Sequence, residues 1–134
     1  HKKKDKHDDS KIVDVVVADI TTASQITGNW TMSAMDSIAT ADIYKSGSTT
    51  QFDLNATITG SEDVGSGNPF EILDGSFVAF GDTTSYTLEG SGIISIGDDN
   101  PDDWNIISYS STEMIWLGKF EDSNTHYWRI TLTK

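Results

Sequence analysis

The sequence predicts an all-β fold: an antiparallel up-and-down β-barrel of about eight strands, with a β-sandwich as the alternative. Three observations support this prediction. Apolar and polar residues alternate over several short stretches, which is typical of strands with one buried and one wet face. Turn-forming stretches such as KSGS, GSGNP and GDDNPDD separate these strands. No long stretch has the period of an amphipathic helix.

The beginning of the chain differs from the rest. Residues 1–11, HKKKDKHDDSK, are charged and contain no apolar side chain, so we expect a disordered, flexible tether. Residues 12–20, IVDVVVADI, are strand-like and fit either an extra edge strand or a strand that pairs with a partner protein. We therefore divide the chain into a charged tether and lead-in at 1–25 and one barrel domain at 26–134.

The alternation begins just after Gly28 and recurs to the end of the chain. The predicted inward-facing residues of these strands are Trp30, Met32 and Ala34, then Phe52, Leu54, Ala56 and Ile58, then Tyr86 and Leu88, and finally Trp128, Ile130 and Leu132. Between the first two strands, residues 36–44 (DSIATADIY) fit a short helix, a strand or a loop equally well.

Charge and composition exclude several classes of protein. The net charge is −12, and from residue 12 onward four basic residues stand against eighteen acidic ones. A surface this acidic repels phosphate backbones, which argues against nucleic-acid binding. No apolar run approaches the roughly 20 residues of a membrane-spanning helix, so we expect no transmembrane span. The chain has no cysteine and therefore no disulfide or thiol nucleophile.

Motifs for catalysis and for metal binding are weak. His126 is the one histidine outside the tether, and no strained nucleophile elbow accompanies it. The acidic run Asp98–Asp103 fails as an EF-hand loop, because Asp103 stands where that loop needs glycine and Tyr109 where it needs glutamate. We predict a solvated acidic loop there, with weak calcium binding left open. The sequence thus predicts a protein that is not an enzyme and has no cofactor and no metal site.

Four stretches resemble a known family. ITGNW followed by an alternating strand is similar to the Gly-x-Trp opening of the lipocalins and other calycins. The later stretches GSFVAFGDTTSYTLEGSGIISIGD, WNIISYSSTEMIWLGKF and HYWRITLTK look like the second half of small lipocalin-like lipoproteins of Gram-negative bacteria. The resemblance covers residues 26–134, a unit shorter than a full lipocalin, which argues against a roomy cavity.

The resemblance implies structural roles for Gly28, Trp30 and Arg129. Gly28 lets the chain turn as it enters the barrel, and Trp30 plugs one end of the barrel. In the family a cation from the last strand lies across this ring, and Arg129 is the matching candidate here. An ordinary core tryptophan and an ordinary surface arginine are the alternative.

The barrel interior is the candidate binding site. The residues predicted to line it are Met32, Phe52, Leu54, Phe80, Tyr86, Met114, Trp116 and Trp128. Barrels of this size are either filled by side chains or hold one small ligand. The resemblance implies a non-enzymatic, extracytoplasmic protein that binds a small hydrophobic molecule or lipid. It also implies a lipid anchor at the outer membrane or cell surface, with the chain beginning just after a lipidated cysteine.

Two other functions remain as alternatives. The first is an accessory subunit of an outer-membrane or cell-surface complex, with a filled core and a partner bound through residues 12–20; in isolation we expect a monomer. The second is a carbohydrate-binding sandwich, which requires Trp104 and Trp116 to be exposed on one face.

Overall fold

The computed structural model describes residues 12–14, 20–38, 43–46, 49–53, 57–65, 67–89, 92–96, 103–121 and 125–134. For 12–14, 43–46, 49–53, 103, 119–121 and 125–126 the description is limited to the backbone. The predicted tether at 1–11, the side chain of His126 and, apart from the backbone of Asp103, the acidic run at 98–103 lie outside this description.

The described residues form strands and one short 3-10 helix at Ala23–Gln25. The strands are β1 (Ile12–Asp14), β2 (Gly28–Ile38), β3 (Ile43–Ser46), β4 (Thr49–Asp53), β5 (Ile58–Ser61), β6 (Asn68–Leu73), β7 (Ser76–Ala79), β8 (Asp82–Ser85), β9 (Thr87–Glu89), β10 (Ile93–Ser95), β11 (Asp103–Tyr109), β12 (Glu113–Glu121) and β13 (Thr125–Thr133). Among the described residues no helix is long and apolar enough to span a membrane.

Most of the strands form one antiparallel barrel. Its strand order is β8-β7-β6-β2-β13-β12-β11-β10-β9, with β5 as a second partner of β2. The two ends of this order, β8 and β9, follow each other in the chain and are separated by Tyr86 alone. The ring of strands is therefore nearly closed, and from β6 onward each strand pairs with the next in sequence, except that β8 and β9 are the two ends of the order. The predicted all-β up-and-down barrel is confirmed, and the β-sandwich alternative is not the fold observed.

A β-bulge at Ser33 changes which face of β2 points inward. Leu132 of β13 pairs with Met32, whereas Thr131 pairs with Ala34, so Ser33 is an extra residue without a partner in the ladder. Because side chains alternate with a period of two, one extra residue reverses every later position. Met35 consequently packs against the core. The predicted inward position of Ala34 is wrong for this reason.

A smaller sheet, in the order β1-β4-β3, accompanies the barrel. Ile12–Asp14 pair with Asp53–Gln51 of the same chain, so the predicted edge strand is present at these residues. Positions 15–19, the remainder of the proposed partner strand apart from Ile20, lie outside the described residues. β1 also contacts β11 of the barrel.

The prediction of one barrel strand from Phe52 to Ile58 is wrong. The backbone of Phe52 belongs to β4, in the small sheet, whereas Ile58 begins β5 and pairs with Ile38 of β2. Ile58 is also 49% exposed rather than inward-facing. Leu54 lies outside the described residues, as does the side chain of Phe52. The alternating pattern from Phe52 to Ile58 crosses the boundary between two strands.

Ile20, in the lead-in, belongs to the packed core. Its side chain is fully buried in the core, and its carbonyl oxygen accepts a hydrogen bond from the backbone N–H of Gly92. Ile26 is also fully buried. Ile20 of the lead-in therefore packs into the same core as Ile26, the first residue of the predicted barrel domain.

Candidate functional site

The barrel is closed at the end where β2 begins. Trp30 is 3% exposed, and its indole Nε1 donates a 2.8 Å hydrogen bond to the carbonyl oxygen of Ile26. Tyr109 donates from its hydroxyl group to the carbonyl oxygen of Gln25 at 2.6 Å, which fixes the lead-in across the same end. These two contacts satisfy polar groups that burial would otherwise leave without partners.

Gly28 makes room for a cation over Trp30. Lys134 Nζ lies 4.7 Å from the centroid of the Trp30 ring, a cation–π distance. A Cβ atom at Gly28 would stand 3.0 Å from that Nζ and 3.1 Å from the neighbouring Cε. The φ angle of Gly28, +139°, also disfavours any other residue. The glycine two residues before the tryptophan thus leaves a path for the lysine.

The assignment of Arg129 to this ring is wrong. Arg129 pairs with Asp36 across β13 and β2, and its guanidinium Nη2 lies 3.2 Å from Asp36 Oδ2. Ser61 donates a 2.7 Å hydrogen bond to the other oxygen of the same carboxylate. Arg129 was correctly placed on the outward register, but six residues along β2 separate Asp36 from Trp30. The matching cation follows the end of β13 instead.

A cavity of about 240 Å³ lies inside the barrel, away from the Trp30 end. Its walls are mostly apolar and aromatic, with two polar side chains. The lining residues are Met32, Met35, Phe70, Phe77, Ala79, Phe80, Asp82, Thr84, Trp104, Trp116 and Ile130.

Trp116 is the centre of the aromatic wall. Its ring meets Phe70 and Phe77 edge to face, with centroids 5.3 and 5.7 Å apart and interplanar angles of 86° and 87°. Phe70 and Phe77 stack on each other at 5.2 Å, and Trp104 leans against Trp116 at 6.4 Å. Edge-to-face and offset contacts of this kind hold the rings in fixed orientations, so this wall is rigid.

The Trp116 indole also brings a polar N–H group into this wall. The side chain is fully buried, and its Nε1 has no hydrogen-bond partner among the described residues. A buried N–H without an acceptor costs roughly 1–3 kcal/mol.

The cavity reaches the surface at the β7–β8 turn. Phe80 and Asp82 line the cavity and are exposed, Phe80 by 54%. Thr84 lies further along β8, opposite Phe77. Phe80 has a φ angle of +53°, a left-handed conformation that is uncommon for a residue with an aromatic side chain.

The structure divides the predicted lining residues into three groups. Met32, Phe80 and Trp116 line the cavity. Tyr86 and Met114 are buried in the core without lining the cavity, and Trp128 is partly buried against that core. Phe80 differs from the prediction, because it stands at the exposed rim rather than facing fully inward. The side chains of Phe52 and Leu54 lie outside the described residues.

Several lining residues were missed from the sequence. Met35 was missed because the bulge at Ser33 reverses its face, and Trp104 was considered only as a surface residue. Phe70 and Phe77 lie on β6 and β7, and the alternating pattern of these strands is the signal in the sequence that indicates them.

Trp104 and Trp116 also bear on the carbohydrate-binding alternative. That alternative required both residues to be exposed, but they are 6% and 0% exposed. Its structural condition is therefore not met.

Metal ligands do not cluster in the described part of the chain. There, no group of three or more histidine, aspartate or glutamate side chains is arranged to hold a metal ion.

The fold and the site together define an antiparallel up-and-down β-barrel with one end closed and a small aromatic cavity towards the other. A comparison with protein-family models and with curated proteins found no match for this chain.

Proposed function

We propose that this barrel binds one small apolar molecule in the cavity beside Trp116. The observation that carries the proposal is the cavity itself, which has a rigid aromatic wall and an opening beside Phe80. An apolar wall of this kind with a few polar groups is the usual composition of a small-molecule site. The presence of the cavity favours this function over the filled-core alternative.

The volume limits the size of the ligand. A dry apolar cavity of roughly 150 Å³ holds benzene in another protein. A volume of about 240 Å³ therefore accommodates on the order of ten non-hydrogen atoms by the same ratio. Two fused aromatic rings fit this limit, whereas a sterol or an entire fatty acid does not. Of the ligands expected from the resemblance, a small hydrophobic molecule is thus favoured over an enclosed lipid.

Binding without catalysis belongs to the same proposal. Asp82 is the carboxylate of the described lining, and it stands at the exposed rim, apart from the aromatic wall. The extracytoplasmic location and lipid anchor implied by the lipocalin-like resemblance are also part of this proposal, and they do not depend on the cavity.

Naphthalene is a suitable probe for the test. A ligand that binds the folded state alone stabilises it by about 2.7 kcal/mol at a hundredfold excess over Kd. For a domain of this size, the melting temperature then rises by several degrees. No rise at the solubility limit of naphthalene, together with no heat of binding in calorimetry, would show that the cavity is not a binding site.

A cavity-filling variant provides the matched control. Ala79 lines the cavity opposite Phe70, so Ala79→Leu is expected to occupy part of the space and abolish the naphthalene effect. Ala34→Leu makes the same change on the outward register of β2 and is expected to leave the naphthalene effect intact.

A further inference from the structure

We infer that the ligand is a small aromatic ammonium ion, with its ring in the cavity and its charged group at the rim beside Asp82. This inference rests on the proposed function, because the ring is the apolar part that the cavity holds and the inference adds the group attached to it. Two observations carry it. Asp82 lines the cavity, and no basic side chain among the described residues pairs with its carboxylate.

Strand β8 carries its one charged side chain on the face that lines the cavity. Asp82 pairs with Ala79 across the β7–β8 turn, and both residues line the cavity. Residues paired in this way project to the same side of the sheet. The outward positions of β8, Thr83 and Ser85, are exposed and uncharged. Solubility alone gives no reason to place the charge on the inward register, where it meets whatever occupies the cavity.

The described part of the chain supplies no cation to this carboxylate. Among the side chains that the structure describes, two are basic, and both have contacts elsewhere. Arg129 Nη2 lies 3.2 Å from Asp36 Oδ2, and Lys134 lies over the ring of Trp30. Asp82 is exposed at the opening, so a cation from solution can reach it. The net charge of −12 also attracts cations to the protein in general.

The other rim side chains suit the same charged group. Phe80 lies two residues before Asp82, and its exposed ring lines the opening. An ammonium group gains an ion pair beside a carboxylate and a cation–π contact beside an aromatic face. The hydroxyl group of Thr84, which also lines the cavity, can accept a hydrogen bond from it. An anionic ligand meets the opposite conditions, because the described lining includes a carboxylate and no basic side chain.

The cavity volume sets the length of the ligand. About 240 Å³ accommodates two fused aromatic rings, so a single methylene group is enough to place an ammonium group at the opening. There the ammonium group stays in contact with water and avoids the cost of burying a charge. Naphthylmethylamine has this arrangement and is the probe for the test.

Naphthylmethylamine, naphthylmethanol and naphthoate, each as the 1- and the 2-isomer, form a ligand series that isolates the charge. The amine is a cation at neutral pH, the alcohol is a neutral molecule of the same size, and naphthoate is an anion. In calorimetry we expect at least one amine isomer to bind about two- to fivefold more tightly than its alcohol, the range for an exposed ion pair, and naphthoate to bind more weakly than the alcohol. An amine that binds no more tightly than its alcohol in either isomer would overturn the inference.

Two variants distinguish Asp82 from the net charge of the protein. Asp82→Asn removes the charge and keeps the shape, so we expect the ratio of amine to alcohol affinity to fall to about one. Asp74→Asn is the matched control, because Asp74 is an exposed turn residue at the opposite end of β7 and does not line the cavity. This control is expected to keep the preference for the amine. A preference that survives in Asp82→Asn, or that both variants lose equally, would overturn the inference.

A measurement on the unchanged protein does not depend on either variant folding. Intermolecular NOEs report the orientation of bound naphthylmethylamine. We expect its methylene protons to contact Asp82 and the ring of Phe80, and its naphthyl protons to contact the buried ring of Phe77. The reverse orientation would overturn the inference even if the amine binds.

The failure of the inference and the failure of the proposed function have different signatures. If naphthalene binds but the amine has no preference over the alcohol, the proposed function stands and the inference alone fails. If neither naphthalene nor any member of the series binds, the proposed function fails, and the inference fails with it.

Discussion

Phe80 adopts a backbone conformation that side chains rarely adopt. With Gly81 it forms the two-residue loop between β7 and β8, and the φ angles of the two residues are +53° and +79°. Positive values at both positions are the geometry of a type I′ turn, where asparagine, aspartate and glycine are preferred. Phenylalanine is unfavourable there, yet its exposed ring lines the cavity. A locally unfavourable residue at a site is a reason to suspect a functional role.

The first prediction concerns this residue. Phe80→Asn is expected to raise the free energy of unfolding by about 0.5–1 kcal/mol, because asparagine tolerates the turn conformation better. The same variant is expected to weaken naphthalene binding several-fold, because the cavity loses the ring at its rim. Denaturant titration and calorimetry measure the two effects.

Leu73→Asn is the control for Phe80→Asn. Leu73 is 42% exposed and lies at the β6–β7 turn, outside the cavity lining. We expect this change to leave naphthalene affinity unaltered. Equal affinity in wild type and Phe80→Asn would remove Phe80 from the site and leave the strain without a functional explanation.

Tyr86 gives the protein a pH dependence at the alkaline end. Burial raises the pKa of its phenol above the ordinary value near 10; a backbone hydrogen bond involving Gly75 opposes this shift, and the Asp74 carboxylate adds to it. The neutral hydroxyl donates a 2.6 Å hydrogen bond to the carbonyl oxygen of Leu73. The folded state therefore holds the phenolic proton more tightly than the unfolded chain does.

The second prediction follows from the sign of that shift. Because the pKa is higher in the folded state, the stabilisation is complete below the pKa of the unfolded chain and is lost as the pH rises above about 10. Tyr86→Phe is expected to cost about 0.5–1.5 kcal/mol at neutral pH, the usual worth of one hydrogen bond. The stability difference from wild type is expected to shrink in alkali. A constant difference across this pH range, measured by denaturant titration, would contradict the assignment.

At the scale of strands, the bulge at Ser33 explains much of what the sequence did not reveal. Alternation predicted β2 up to Met32 and β13 from Trp128 to Thr133, because a period of two is a direct consequence of strand geometry. It did not predict Met35 in the cavity, because nothing in SAMDS marks one extra residue. Similarly, Phe52 fits the same alternation whether β4 joins the barrel or a separate sheet. Local pattern fixes the strand, whereas pairing and register depend on contacts distant in sequence.

Gly118 shows how two neighbouring strands shape the cavity wall. It pairs with Trp104 of β11, and a Cβ atom at Gly118 would lie 2.8 Å from Cε3 of that ring. Real Cβ atoms do not approach this closely, so the absence of a side chain on β12 allows the Trp104 ring to lie against the backbone. The indole is held there beside Trp116.

The third prediction is a substitution at Gly118. Gly118→Ala is expected to displace the Trp104 ring and to lower the free energy of unfolding by about 1–3 kcal/mol, the usual cost of overpacking. Naphthalene affinity is expected to change as well, because Trp104 lines the cavity. Gly65→Ala tests whether the effect depends on the local contact, since a Cβ there meets nothing within 4 Å; its positive φ of +62° makes some loss of stability expected, but no change in affinity.

At the scale of the whole molecule, the two ends of the barrel differ in structure: one is closed and the other is open to a cavity. One end is closed by Trp30, the lead-in and Lys134. The cavity opens beside Phe80 towards the other end. The lipocalin-like resemblance of the Gly-x-Trp stretch implied this closed end but matched the wrong cation to Trp30. Both cations lie at the end of the chain, and only the register of β13 against β2 shows that Arg129 meets Asp36.

The fourth prediction separates the two cations. Trp30→Leu and Lys134→Met are each expected to destabilise the fold, and a double-mutant cycle is expected to give a coupling of about 0.5–1 kcal/mol, the worth of an exposed cation–π contact. Arg129→Met is also expected to destabilise the fold, because it leaves the mostly buried Asp36 carboxylate without its cation. Its coupling to Trp30→Leu is nevertheless expected to be near zero, since six residues of strand place the two sites roughly 20 Å apart.

The same variants test the independence of the two ends. Lys134→Met is expected to lower the free energy of unfolding without changing naphthalene affinity, because Lys134 acts on the closed end and does not line the cavity. Phe80→Asn is expected to have the reverse pattern, with higher stability and weaker binding. Lys134→Arg keeps a cation over the ring and serves as the control for charge. If Lys134→Met weakens naphthalene binding as much as Phe80→Asn does, the two ends of the barrel are coupled. The closed end at Trp30 and the cavity would then deform together and not act as independent parts of the fold.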